Sequence, residues 1–223
     1  MSHYSPSQKH RIFKNKNLLI FDFDGVLADS FNTFYPLIRG GMNSIGLSLT
    51  PDQYRNFFIG NVHQGFMDFI KDEDKHARFL EFRNSNYDKY YNDEENKAKL
   101  FPESIKFLKR LGSNNCILTI ASSGRQKNVE SLLEASGVKD LFALIIANSN
   151  SKTAMLSEIM SKFHATSDET IMITDTVGDI LMAKESGLKT IAVTWGFHSI
   201  GLLKTVRPDY IAKNFQALHK ILQ

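Results

Sequence analysis

With 223 residues, 42% of them apolar and 23% charged, the chain has the composition of a soluble globular protein. It is long enough to bury one large core, or a core and a smaller companion. A net charge of +3 is too small to point to nucleic acid, and no run approaches the ~20 apolar residues that span a bilayer.

Residues 1–16 carry Lys9, Arg11, Lys14 and Lys16 among polar neighbours and are expected to form a disordered lead-in. No apolar stretch follows that would make them a secretory signal. The run Leu18-Leu19-Ile20-Phe21 then predicts a buried strand over 18–23. Into its end the chain places Asp22 and Asp24, and Gly25 follows at once. A buried carboxylate is costly unless a cation or hydrogen-bond donors satisfy it, so folding alone would select Val or Leu there. A strand ending in a solvated acidic turn is the bland alternative. The residue types favour a paired-carboxylate site, in which one acid attacks and the other handles a proton.

Residues 32–100 show no strand pattern. They show helical periodicity, turn signals at Gly40-Gly41 and Gly46, and a helix start at Thr50-Pro51-Asp52. Of the chain's 25 aromatic residues 12 fall here, enough for a separate small core, and most are expected to pack rather than to touch a substrate. A helical insert placed directly after an acid-bearing strand tip overhangs that tip as a lid or cap.

From Pro102 onward strand and helix alternate. Pro102 suits the first turn of a helix over 103–111, closed by Gly112. Strands are predicted at 116–121, 143–147, 170–174 and 190–194, with a short one near 209–212. Between them helices are predicted over 126–136, 153–163 and 179–186, the first and last closed by Gly137 and Gly187. The only cysteine, Cys116, excludes an intrachain disulfide and suits a reducing, cytoplasmic setting; flanked by Ile117-Leu118-Thr119-Ile120, it reads as a buried strand residue. The pattern is that of an α/β fold, a Rossmann-like, mostly parallel sheet with helices on both faces. The core is expected to comprise 17–31 and 101–223, with a small all-helical cap, 32–100, inserted after the first strand.

Three more strand ends carry polar residues. In Ser122-Ser123-Gly124-Arg125, a serine either caps the next helix or, with the loop amides, holds a phosphate oxygen. Lys152 follows the polar loop 147–151 and, taken alone, is a solvated surface lysine. Asp175 and Asp179, in Asp175-Thr176-Val177-Gly178-Asp179, either cap a helix or join Asp22 and Asp24 around a divalent metal. Hard oxygen donors with no histidine or cysteine nearby favour Mg²⁺ over zinc. In open α/β sheets ligands sit outside the carboxyl ends of the strands, where all these residues fall.

Together these residues resemble the motifs of the haloacid dehalogenase-like hydrolase superfamily. Over roughly 18–222 the chain is similar to its phosphoglycolate phosphatase-like branch with a helical cap. Asp22-Phe23-Asp24-Gly25-Val26 resembles the first motif, Ser122 the second, Lys152 the third and Asp175 to Asp179 the fourth, in chain order. Thr174 stands where glycine often precedes the metal acid, and Thr153 where proline often follows the lysine; neither removes a chemical group. The resemblance implies a Mg²⁺-dependent phosphatase acting on a small-molecule phosphate monoester. It makes Asp22 the nucleophile, carrying an aspartyl-phosphate, and Asp24 the general acid and base. Mg²⁺ would be held by Asp22, the main-chain carbonyl of Asp24 and Asp175, with Asp179 in or near the shell. Phosphate would be bound by Ser122, Ser123 and Lys152. The implied partner is a small phosphate ester, without nucleic acid or membrane, and oligomeric state is not legible.

Rival readings on the same fold are weighed by single residues. A dehalogenase would need no acid at Asp24. A sugar phosphomutase usually has a histidine twelve residues after the nucleophile, where this chain has Phe34. A non-catalytic binding protein should have lost a motif residue, and none is lost. Arg39, Asn61, His63 and Arg125 are candidate substrate contacts, and Phe197 and His198 candidates for the site rim.

Overall fold

The computed structural model describes residues 17–112, 116–148 and 151–223. The lead-in expected at 1–16, and Ser149 and Asn150 of the polar loop, lie outside the described residues.

Six strands form a parallel sheet around β1 (Asn17–Phe21), and a two-stranded antiparallel ribbon pairs β2 (Ala28–Asp29) with β3 (Lys99–Leu100). In the sheet, β1 lies between β4 (Cys116–Ala121) and β6 (Thr170–Thr174). Outside β4 lies β5 (Leu144–Ile146); beyond β6 come β7 (Lys189–Val193) and β8 (Tyr210–Ala212). The chain therefore builds to one side of β1 and then returns to the other. The carboxyl end of β1 is a topological switch point, the place where ligands bind in such sheets.

Between β2 and β3 the chain forms α1 (Phe31–Ser44), α2 (Pro51–Asn56), a 3₁₀ turn (Phe57–Ile59), α3 (Val62–Ile70) and α4 (Glu73–Tyr91). Thr50 starts α2 as expected: its hydroxyl accepts from the Gln53 amide at 3.2 Å while the Gln53 side chain accepts from the Thr50 amide at 2.8 Å. These helices share a core of their own, built on Met42, Tyr54, Phe57, Phe66 and Phe79 and joined by Phe197. Three expectations are corrected here. Gly40 and Gly41 do not turn the chain but lie inside α1, where a Cβ on Gly41 would come within 2.9 Å of the Phe79 ring. Their lack of side chains lets α4 close on α1. The stretch 32–100 also ends in a strand, β3, too short to leave a periodic signal. Further, β1 stops at Phe21, so Asp22 and Asp24 stand just past it.

The two faces of β1 go to different cores. Leu19 and Phe21 pack with Phe107, Leu108 and Leu111 of α5 (Pro102–Leu111) and with Val129 and Leu133 of α6 (Gln126–Ala135). Leu18 and Ile20 pack with Met155, Leu156 and Ile159 of α7 (Lys152–Phe163) and Ala183 of α8 (Val177–Glu185). Each such side chain, fully buried, contributes ~1.5–3 kcal/mol, which ties the strand to both helical layers. Two short helices absent from the predicted pattern, α9 (Ile200–Thr205) and α10 (Phe215–Ile221), complete the chain. Among the described residues no helix is long and apolar enough to cross a membrane.

Candidate active site

The strand pairing runs one residue past β1, with the Asp22 amide donating to the Ile173 carbonyl at 2.9 Å. This aims the Asp22 side chain along the strand ends. Its Oδ1 accepts from the Phe23 amide at 2.7 Å, and its Oδ2 meets Lys152 Nζ at 2.8 Å. Lys152 is the first residue of α7, not part of the loop before it, and Ser151 caps that helix. The same ammonium lies 2.5 Å from Asp179 Oδ2, which also accepts from the Thr174 hydroxyl at 3.0 Å. Thr174 thus supports the site from a position where the sequence suggested only a missing glycine.

Asp175 is fully buried. Its Oδ2 accepts from the Phe197 amide at 2.6 Å, and a Cβ on either Gly25 or Gly196 would fall 2.1 Å from that oxygen. The carboxylate is therefore held between two glycine backbones, and Gly25, at φ +76°, adopts a turn that other residues resist. Its Oδ1 is buried with no hydrogen-bond partner.

Across from it, the Ser122 amide donates to the Ile146 carbonyl at 3.0 Å and its hydroxyl accepts from the Gly124 amide at 3.0 Å. A Cβ on Gly124 would lie 3.2 Å from Ser122 Oγ and 3.4 Å from Asp24 Oδ2, so this turn brings Ser122 and Asp24 to one spot. Ser123 is exposed. Four strand ends have delivered two acids, a serine pair, a lysine and two more acids to one edge of the sheet.

Residues 19–193 match the family model described as haloacid dehalogenase-like hydrolase. The chain belongs to the haloacid dehalogenase-like hydrolase family. A relative from Dickeya dadantii, named "Probable phosphatase IndB", is 32% identical over 56% of this chain and 58% of its own length. A phosphoglycolate phosphatase from Aliivibrio fischeri is 23% identical over 95% of this chain and 98% of that protein. In fold, the chain is similar to a haloacid dehalogenase-like hydrolase from Streptococcus pneumoniae, with a TM-score of 0.81 at 24% identity, covering 93% of this chain and 99% of that one.

In this hydrolase four carboxylates share one lysine, and their protonation is displaced accordingly. Burial pushes Asp22 well above the ordinary carboxylate range, against the pull of Lys152 and with help from Asp179 and Asp175. Burial likewise raises Asp24, and it takes Asp175 to about 7. For Asp179 burial, the largest effect, is outweighed by the charge of Lys152 together with hydrogen bonds to Asp22, Lys152 and Thr174, and its pKa falls. Lys152 is itself held above the usual lysine value, since Asp179 and Asp22 outweigh its desolvation. The site is acidic in excess.

Among the described residues no three His, Cys, Asp or Glu side chains are gathered as a ligand set. A divalent cation nevertheless fits. Asp175 Oδ1 is an orphaned buried acceptor, and the surrounding donors are all hard oxygens, as Mg²⁺ prefers.

Two adjoining chambers open from the hydrolase's strand ends. One, of about 400 Å³, is lined by Asp22, Lys152 and Asp179 and roofed by Gly60, Asn61 and Val62. The other, of about 260 Å³, runs under α1 and α4 past Phe34, Tyr54, Arg83 and Tyr87. Asp24, Ser123, His63 and Phe197 line both. Arg125 faces the second chamber, and Asn61, which accepts from the His63 and Gln64 amides as the cap of α3, faces the first. Two of the candidates take the surface or structural role that was their alternative. Arg39 is exposed over the Tyr35 ring, and His198 is buried behind the site rather than at its rim. Arg83 was missed, because nothing local distinguishes it from other charged residues of α4.

Proposed function

We propose that this protein is a Mg²⁺-dependent phosphatase that hydrolyses a small-molecule phosphate monoester through an aspartyl-phosphate on Asp22. The observation that carries the reading is Asp22 itself: 5% exposed, oriented by the Phe23 amide and held 2.8 Å from Lys152, with Asp24 beside it. A relative that matches almost end to end is named a phosphoglycolate phosphatase, which supports the class of ester.

In this reading one oxygen of Asp22 attacks phosphorus, and the alkoxide that leaves takes a proton from Asp24, whose pKa is raised by burial, which favours its protonated form. Asp24, now a carboxylate, takes a proton from the water that hydrolyses the phosphoaspartate. Lys152, Ser122 and Ser123 hold the phosphoryl oxygens, and Asp179 keeps Lys152 in place. Asp22, the Asp24 carbonyl oxygen and Asp175 would hold Mg²⁺, with Asp179 nearby. When bound, Mg²⁺ supplies charge neutralisation at the phosphoryl group, without which two anions repel. The helices from α1 to α4 act as a cap that excludes water, a reading supported by the close approach of Phe58 and Gly60 carbonyls to Gly178 of α8. A cytoplasmic, reducing setting belongs to the same reading and is supported by the lone thiol of Cys116.

The test is phosphate release from phenyl phosphate by the full chain. Activity should vanish with a chelator and return with Mg²⁺, but poorly with Ca²⁺, whose larger shell misplaces the nucleophile. Full activity in the chelated protein would overturn the assignment.

A further inference from the structure

The second chamber holds a guanidinium that has no carboxylate partner among the described residues. Arg83 projects from α4 toward it, half-buried, and its guanidinium donates to Asn84 Oδ1 at 3.4 Å. Among the described residues no carboxylate lies within 4.0 Å of it, whereas Arg125, on the same chamber, is 3.0 Å from Asp88 and stacks 3.7 Å from the Tyr87 ring centroid. Burial, followed by the charge of Arg125, lowers the Arg83 pKa, as expected of a desolvated cation facing a second cation. A guanidinium kept in this position is suited to a bidentate anion. Much of the remaining wall is aromatic, with Phe34, Tyr54, Phe58, Phe66 and Phe197, and His63, Asn84, Ser123 and Asn148 line it too. Asp24 stands at the junction of the two chambers. A group that Asp24 protonates therefore has the second chamber open to it.

We propose that this chamber seats the leaving group of the substrate, and that the group joins a flat apolar body to an anionic end paired with Arg83. The proposal rests on the phosphatase reading above. On this proposal the shortest anionic esters, which carry no apolar body, are not the preferred substrates. Arg83 is then a specificity residue and takes no part in the chemistry.

The experiment compares kcat/KM, with Mg²⁺, for phenyl phosphate, its para-carboxy derivative and phosphoglycolate. The wild-type protein should prefer the carboxylated ring to both others by at least about ten-fold, the value of one charge-assisted pair. Arg83→Gln should erase at least about ten-fold of the preference between the two ring esters, and Arg83→Lys, which keeps the charge, should retain most of it. If Arg83→Gln does not fold, Arg83→Met and Arg83→Lys give the same comparison. Equal turnover of the two ring esters, a preference that survives the loss of Arg83, or phosphoglycolate as the best of the three would each overturn the proposal while leaving the phosphatase reading intact. Hydrolysis of none of the esters would overturn both.

Discussion

His198 ties the helical insert to the core through one ring: its Nε2 lies 2.9 Å from the Arg55 carbonyl oxygen, and its Nδ1 accepts the Val177 amide proton at 2.9 Å. The second bond makes Nδ1 the acceptor, so a neutral ring carries its hydrogen on Nε2 and donates it to Arg55. Burial lowers the histidine pKa and favours that neutral form. The end of α2 and the start of α8, two residues past Asp175, are thereby fixed to a common point.

Replacing His198 with alanine leaves the buried Val177 amide without this acceptor and takes one donor from the Arg55 carbonyl. Stability in urea should fall by about 1–3 kcal/mol. The kcat/KM for an aryl phosphate should drop by about ten-fold or more as the insert loses its position over the strand ends. Unchanged turnover in a destabilised variant would confine His198 to a structural part.

Gly178 offers a way to disturb the insert without touching the core. A Cβ there would come 2.8 Å from the Gly60 carbonyl oxygen and 2.9 Å from that of Phe58. Alanine is otherwise favourable in a helix, so Gly178→Ala should leave the melting temperature within a few degrees of wild type. Pushing the insert outward by about 1 Å should nevertheless lower turnover by up to about 10²-fold. Thermal melts and steady-state rates on the same preparation check both halves.

What the sequence made legible follows a physical rule. Asp22 and Asp24 were visible because carboxylates ending an apolar strand contradict the burial pattern around them, and the later acids became informative once they fell at the neighbouring tip. Thr50-Pro51 was visible because capping chemistry is local. Gly40-Gly41 was misread, since the same residues serve turns and close helix contacts, and only the Phe79 ring decides between them. The part of His198 depends on Arg55, 143 residues earlier, and that of Arg83 on an absence of acids in space; neither leaves a trace in nearby residues.

The excess of carboxylate predicts how the metal-free protein responds to pH. The folded-state pKa of Asp175 is about 7 against an ordinary 3.8, and that of Asp22 is raised in the same sense. A raised carboxylate stabilises the fold when protonated, so its contribution is complete below about pH 4 and lost as pH rises through about 7. Asp24, raised by burial, adds to the loss, while His198, whose pKa is lowered, opposes it below the ordinary histidine value; Asp179, held low, titrates only below its ordinary value and does not enter this window. Chelated protein should therefore lose on the order of 2–4 kcal/mol between pH 5 and pH 8, and Mg²⁺ should restore it at the upper end. Asp175→Asn should be inactive yet flatten most of that slope. Denaturation in chelator at several pH values measures it, and a metal-free stability that climbs toward pH 8 would contradict the placement of these charges.

The division of labour between Asp22 and Asp24 admits the sharpest test. Asparagine at 24 keeps the side-chain shape and the main-chain carbonyl proposed as a metal ligand, but it cannot exchange a proton. Turnover of an alkyl phosphate, whose alkoxide needs protonation to leave, should fall by ~10²–10⁴. An aryl phosphate has a better leaving group, so its first step should suffer less. Phosphoaspartate on Asp22 should then accumulate, because the attacking water still lacks a base. Asp22→Asn should instead abolish both steps and form no phosphoenzyme. Single-turnover assays with labelled phosphate on the two variants separate these outcomes: wild-type alkyl phosphate turnover in Asp24→Asn removes Asp24 from proton transfer, and phosphatase activity in Asp22→Asn removes the covalent route.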